Sequence, residues 1–320
     1  MREWTRVLFS AGALTAAGAL LLIDTGTKEY MRLGESEPQI ISVLFGGDLM
    51  FDRSIRAVAE KSGEDFLFSC IDPTLAEADV VVANLEGPIT SLLSKSVGST
   101  PGDLHNTTFT FATTTAALLA RHNIRVVNLG NNHIMNFGRG GLLETRAWLA
   151  GAGVRSFGDP DLPEEDRVLR ADLRGIPFSF VNWSDWTPVG KPLASNGAGE
   201  PNPTVEQIMK EKEAGRVVVV YTHWGEEYVA PLPRVRTLAR SFVDAGAAIV
   251  VGSHPHIVQE KEIYKGKYIY YSLGNFIFDQ YFSEEVRNGL LLAATFDRGG
   301  LRSLIEIPIR LEQDRRTCLR

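Results

Sequence analysis

Cysteine is almost absent from this chain of 320 residues, where Cys70 and Cys318 are the only two. Two thiols cannot build a disulfide framework or a cysteine-rich zinc module, so a bound metal would have to rest on histidine and carboxylate. Histidine is also scarce, with six in all. No run of basic residues occurs, and 33 Lys and Arg stand against 39 Asp and Glu for a net charge of -6. Nucleic-acid binding needs clustered cations on phosphate, so that class of partner is excluded. The chain has no internal repeat and no low-complexity tract. Its 44% hydrophobic and 22% charged residues are ordinary globular proportions, which excludes disordered and collagen-like chains. The length suits two domains of about 150 residues or one large α/β domain.

One apolar run is long. Val7–Ile23 is seventeen residues without a charge, preceded by Arg2 and Arg6 and ended by Asp24. That is the lower limit for a membrane-spanning helix, about 17–25 residues, and it overlaps the apolar core of a signal peptide. Arginines on the N-terminal side place the rest of the chain outside the cytoplasm. Residues 1–24 therefore read as a signal anchor, single-pass in the cell membrane, with a cleaved signal peptide and a secreted product as the alternative. Residues 25–39 read as a tether, 40–310 as the folded domain and 311–320 as a C-terminal tail.

From Ile40 short apolar runs alternate with helix-like segments, the pattern of an α/β fold. In 234–246, Val235, Leu238, Ala239, Phe242 and Val243 fall on one helical face, as do Leu142, Thr145, Trp148 and Leu149 in 140–150. The C-terminal third is richer in strands, which predicts a second sheet beside the first. Segments 91–108 and 184–203 read as long loops, either functional rims or insertions.

Five apolar runs end alike. Residues 40–45 lead to Gly46-Gly47-Asp48, 79–85 to Glu86, 124–130 to Asn131-Asn132-His133, 217–222 to His223 and 247–253 to His254-Pro255-His256. Ligands of open α/β sheets bind beyond the carboxyl ends of the strands. Carboxylate, amide oxygen and imidazole suit Mn, Zn or Fe, and a carboxylate can bridge two ions that activate water. Each fragment alone has a plainer reading. His223 suits a hydrogen-bonded structural residue, Asn131-Asn132-His133 a polar turn capping the next helix, Asp48 a helix cap and Glu86 a turn. His254 and His256, two apart in an extended segment, would point to one side. Placement at five strand ends together points to one metal site.

The fragments GGDLMFDR, VVANLEGPIT, LGNNHIMNFG, THWGEEY, GSHPHIVQ and YSLGNFIFDQ resemble those of the CapA capsule-synthesis family. That family includes poly-gamma-glutamate synthesis and export components and has a calcineurin-like metallophosphoesterase fold. The six motifs run in order from about Ile41 to Phe282. The resemblance implies a four-layer α/β/β/α sandwich holding one or two divalent ions at the strand ends. Glu86, Asn132, His223 and His254 would bind one ion, and Asp48, Glu86 and His256 the other. His133 would be the general acid or a phosphate-facing histidine. Arg53 could be a catalytic cation gripping an anionic substrate, or it could pair with Asp52.

Two positions depart from the pattern. Met50 stands where metallophosphoesterases usually carry histidine, and Asn136 where relatives usually have an acidic residue. One ion site is therefore expected to be weaker, completed by water or Asp52. Asn275 and Asp279 either shape the site or fix a turn. Trp183, Trp186 and Trp224 either line a pocket or pack in the core, and Glu226 and Glu227 either partner His223 or are solvated. The implied function is a metal-dependent hydrolase in capsule or poly-gamma-glutamate biogenesis. It would act on a phosphoester or other bond of an anionic envelope polymer, at the membrane and beside polymer synthase subunits. The alternative is a non-catalytic metal-binding assembly or export subunit.

Overall fold

The computed structural model describes residues 39–187, 191 and 202–320. The anchor read at 1–24, the tether apart from its last residue, and most of the segment 184–203 lie outside the described residues. Among the described residues no helix is long and apolar enough to cross a membrane.

The chain starts one sheet, crosses to a second and returns to finish the first. It enters through β1 (Ile41–Leu49), α1 (Arg53–Ser62), α2 (Asp72–Ala76), β2 (Val80–Leu85), α3 (Thr115–Arg121), β3 (Ile124–Asn128), α4 (Gly138–Gly151) and β4 (Arg155–Phe157). The crossing gives β5 (Leu169–Leu173), β6 (Ile176–Ser184), α5 (Pro203–Glu213), β7 (Val217–His223), α6 (Pro233–Ala245), β8 (Ile249–Ser253), β9 (Lys261–Tyr264) and β10 (Lys267–Tyr270). The return supplies β11 (Asn275–Ile277), α7 (Glu284–Arg287), β12 (Asn288–Asp297), β13 (Gly300–Leu311) and β14 (Thr317–Leu319). The first sheet has the order β14-β13-β12-β1-β2-β3-β4, with β11 also on β1, and the second β5-β6-β7-β8-β10-β9.

The strand-rich C-terminal third does not form its own sheet. β9 and β10 extend the second, while β12 runs antiparallel to β1 and covers an edge that would otherwise be open. Residues 311–320 are not a free tail either. β14 pairs with β13, and Cys318 is joined to Cys70 by a disulfide across 248 positions.

Three apolar clusters separate the layers of this mixed α/β fold. Between the sheets, Val43, Phe45, Val82 and Val126 meet Phe178, Phe180, Val219 and Val251. On the other face of the first sheet, Leu44, Val81 and Val127 share a cluster with Ile55, Leu118 and Leu142 of α1, α3 and α4. Beyond the second sheet, Val218, Val220 and Val250 cluster with Ile208 of α5 and Ala239 and Phe242 of α6. Full burial of such a side chain is worth about 1.5–3 kcal/mol, so these clusters hold the layers together. β2, β7 and β8 are buried on both faces, which is why they read as unbroken apolar runs. On α4, Trp148 lies at the edge of the apolar stripe and is exposed, while Leu142, Thr145 and Leu149 are buried.

The polarity of the strands positions the site. β1, β2 and β3 run parallel, as do β6, β7 and β8, so the carboxyl ends of each set lie together. Parallel pairing sets Asp48 opposite Asn84. Gly47 permits the last step of β1, because a Cβ there would stand 1.9 Å from the Gly274 carbonyl oxygen. The Asp48 N–H donates to that oxygen at 3.1 Å.

Candidate metal centre

Asp48 and Glu86 lie at the ends of β1 and β2, both fully buried. Asp48 is well partnered. Its Oδ1 accepts from Asn84 Nδ2 at 2.8 Å and its Oδ2 from the His254 N–H at 3.1 Å. Burial nevertheless raises its carboxyl above the ordinary value. Glu86 is different, because neither of its oxygens has a hydrogen-bond partner. Burial first, then the neighbouring Asp48 and Glu227, push its carboxyl well above the usual range.

Four histidines surround these carboxylates. Glu86 Oε1 lies 3.6 Å from His256 Nε2, 3.9 Å from His133 Nε2 and 4.0 Å from His223 Nε2. Two of the ring orientations follow from the amides behind them. Asn275 donates its Nδ2 to the carbonyls of His256 and Val286, so its Oδ1 accepts from His256 Nδ1 at 2.9 Å. Asn136 Oδ1 accepts the Phe109 N–H and, at 3.2 Å, His133 Nδ1. Both rings therefore present a bare Nε2 toward Glu86. Ring nitrogens converge on a carboxyl that hydrogen-bonds none of them, an arrangement that a cation satisfies. His254 adds a buried Nε2 without a partner, while its Nδ1 lies 3.1 Å from His223 Nε2.

His223 Nε2 is 2.8 Å from Asn132 Oδ1, and its Nδ1 meets Asn84 Nδ2 at 3.2 Å and Ser253 Oγ at 3.1 Å. Burial, followed by the neighbouring histidines, holds His223 and His254 well below the usual imidazole value. Burial likewise lowers His133 to about 4, so its ring is neutral near pH 7. Glu86, His223 and His254 form one set of close ligand atoms, and Asp48, Glu86 and His256 a second. Orphaned oxygens, bare nitrogens and this mixed donor set fit divalent ions.

Residues 42–280 match the family described as "Bacterial capsule synthesis protein PGA_cap". The chain belongs to this family. It is 32% identical over 267 residues to the PGA biosynthesis protein CapA of Bacillus subtilis (strain 168), covering 80% of this chain and 68% of that one. To the capsule biosynthesis protein CapA of Bacillus anthracis it is 28% identical over 295 residues, 87% of this chain and 69% of that one.

In this PGA_cap chain Asp48, Glu86, Asn132, His223, His254 and His256 meet at one place, with His133 beside them. His254 and His256 do not reach it from an extended segment. Both have left-handed backbones, φ 95° and 56°, and the His254 N–H is thereby free to bond Asp48. Asn131-Asn132-His133 does not cap the next helix, since α4 starts at Gly138 behind Phe137 with no side-chain cap, but it does form a polar turn. Asn131 Oδ1 caps the N–H groups of His133 and Ile134, while Asn132 faces His223.

Arg53 pairs with Asp279 at 2.5 Å rather than with Asp52, which bonds Arg56 instead. The guanidinium lies between the rings of Phe109 and Phe278 and lines a cleft of about 640 Å³ shared with His133 and His256. Asp52 also accepts the Thr110 N–H, so it is committed away from any ion. Met50 is buried in the apolar cluster beneath the helices, its sulfur accepting the Asp52 N–H at 3.0 Å. Trp224 is core, Trp183 packs beside Phe242, and the Trp186 ring stands 4.8 Å from that of His254. Asn84 escaped the sequence reading. It ties Asp48 to His223, and its Oδ1 accepts from Asn128 and Asn131. The signal available was a single amide inside the apolar run of β2, two residues before Glu86 and so on the same face.

Proposed function

We propose that this PGA_cap chain is a metal-dependent hydrolase of capsule or poly-gamma-glutamate biogenesis, acting on a phosphoester or other bond of an anionic envelope polymer. The observation that carries it is Glu86, a buried carboxylate with both oxygens unpartnered, whose Oε1 is faced by the bare nitrogens of His133 and His256. The two sheets with helices beyond each outer face suit a four-layer sandwich of the metallophosphoesterase type. Mn, Zn or Fe bound there supplies Lewis acidity and lowers the pKa of water. Glu86, Asn132, His223 and His254 would hold one ion, and Asp48, Glu86 and His256 the other.

His133 works from its neutral state. Asn136 keeps Nδ1 protonated and Nε2 free, so His133 takes a proton at Nε2 from the attacking water and then delivers it to the leaving group. Arg53, held by Asp279 and two aromatic rings, orients an anionic group at the mouth of the site. Location outside the cytoplasm is supported by the Cys70–Cys318 disulfide, a bond that persists in oxidising compartments. The run Val7–Ile23 supports a membrane anchor, or a cleaved leader and a secreted product.

Asn136 and Met50 favour a second reading, a non-catalytic subunit whose ions grip the carboxylates of an exported polymer beside synthase subunits. Asn136 lacks the charge that would stabilise a protonated His133, and Met50 withholds an imidazole. Purified full chain incubated with capsular polymer and with phosphate esters distinguishes the two. Turnover that EDTA abolishes and Mn(II) restores supports the hydrolase. Polymer binding that depends on metal, without turnover, supports the subunit.

A further inference from the structure

We infer that Glu227 is a third carboxylate of the metal centre, closing it on the solvent side together with His254 and His256. This rests on the metal-centre reading above and extends its ligand set. One carboxylate oxygen of Glu227 and one ring nitrogen of each histidine lie within 4.8 Å of one another. Asp48 and Glu86 are fully buried, whereas Glu227 is exposed. His254, only 1% exposed, keeps its Nε2 buried and without a hydrogen-bond partner. A carboxylate beside two such imidazoles has the chemistry of a site for Mn, Zn or Fe.

The turn that carries Glu227 is pinned on both sides. Before it, the Gly225 N–H donates to Asp185 Oδ2 at 2.8 Å. After it, the Tyr228 N–H donates at 2.9 Å to the carbonyl of Pro255, the residue between the two histidines. The Tyr228 hydroxyl accepts from Gln280 Nε2 at 2.9 Å, and Gln259 Nε2 donates to the Val229 carbonyl at 2.6 Å. These bonds hold Glu227 over the His254-Pro255-His256 loop. Its neighbour Glu226 is exposed on the same turn and belongs to no such cluster among the described residues.

The consequence is chemical. Met50 supplies no imidazole, so a hard oxygen ligand at the mouth compensates for it. Being exposed, Glu227 is also the ligand that an incoming anionic group displaces, whereas the buried ligands stay.

The test is a Mn(II) titration of the metal-free full chain, with free ion read by electron paramagnetic resonance, for wild type, Glu227→Gln and Glu226→Gln. Both side chains are exposed, so neither change threatens the fold. Glu227→Gln should weaken at least one binding step about tenfold or more, since even an outer-shell partner of a metal ligand contributes about 10–100-fold. Glu226→Gln should leave the curve unchanged. If the Glu227→Gln curve superimposes on wild type, or both variants weaken binding equally, the inference fails while the metal centre stands. If the wild type binds no Mn(II), both fail together.

Discussion

Replacing Glu86 by Gln should separate the stability of the fold from the binding of ions. The carboxyl is fully buried, has no hydrogen-bond partner and is held well above its ordinary pKa of 4.5, chiefly by burial. A group whose folded-state pKa is raised contributes its full stability below pH 4.5 and loses it as the pH rises through the folded value. The Glu86 contribution in metal-free wild type therefore falls from acid toward neutral pH, while the lowered His133, His223 and His254, which the variant shares, run the other way. Gln keeps the shape, carries no charge, and its amide can donate to the bare Nε2 of His256 or His133. Leaving a buried polar group unsatisfied costs about 1–3 kcal/mol, so the metal-free variant should exceed metal-free wild type by about that much near pH 8. In a large domain each kcal/mol moves the melting temperature about 2–4 °C. With ions the order reverses. A divalent ion at a hundred times its Kd adds about 2.7 kcal/mol to the wild type, and the variant, missing the shared ligand, gains little. Thermal melts of both proteins in EDTA and in Mn(II), at about pH 5 and about pH 8, read all of these effects. A metal-free variant less stable than wild type at the higher pH, combined with equal stabilisation of both by Mn(II), would refute the reasoning.

Three further outcomes are expected. His133→Ala should keep its metal by mass spectrometry while lowering any turnover by about 10²–10⁴, and an unchanged rate would make His133 structural. Met50→His should lower stability by about 1–3 kcal/mol in urea denaturation, because it buries an imidazole among apolar side chains, and should add no ion in a metal titration. A gain of bound metal would show that position 50 can turn into the site. Changing Cys70 and Cys318 to Ser should cost about 2–5 kcal/mol on the same urea assay, and an unchanged midpoint would mean that the bond adds nothing to the fold.

The strand-end residues were legible because parallel strands deliver their carboxyl ends to one place, whatever the loops between them do. Asp48, Glu86, Asn132, His223, His254 and His256 could be named from that rule together with residue chemistry. What the rule does not carry is side-chain direction. Met50 follows Asp48 by two residues, yet its side chain is committed to the helix-facing core once β1 has ended. The choice of Asp279 over Asp52 as partner of Arg53 arises only when the chain after β11 folds back beside α1. The strand-rich character of the C-terminal third was visible, but its division between two sheets depends on which edge is open, a tertiary property. Two cysteines without a characteristic spacing carry no pairing information until β14 lies beside Cys70.

The return of β12 to β1 has a consequence for the order of assembly. Ile41 pairs with Phe296, about 250 positions later in the chain. At a synthesis rate of about 5–20 residues per second, β1 waits tens of seconds for that neighbour. During this interval an apolar strand in the middle of the future sheet has β2 on one side and an unpaired edge on the other. Such edges recruit strands from other chains. Chains cut short before Asn288 lack the covering strand altogether, so loss of the C-terminal tenth should appear as aggregation rather than as a trimmed, working protein.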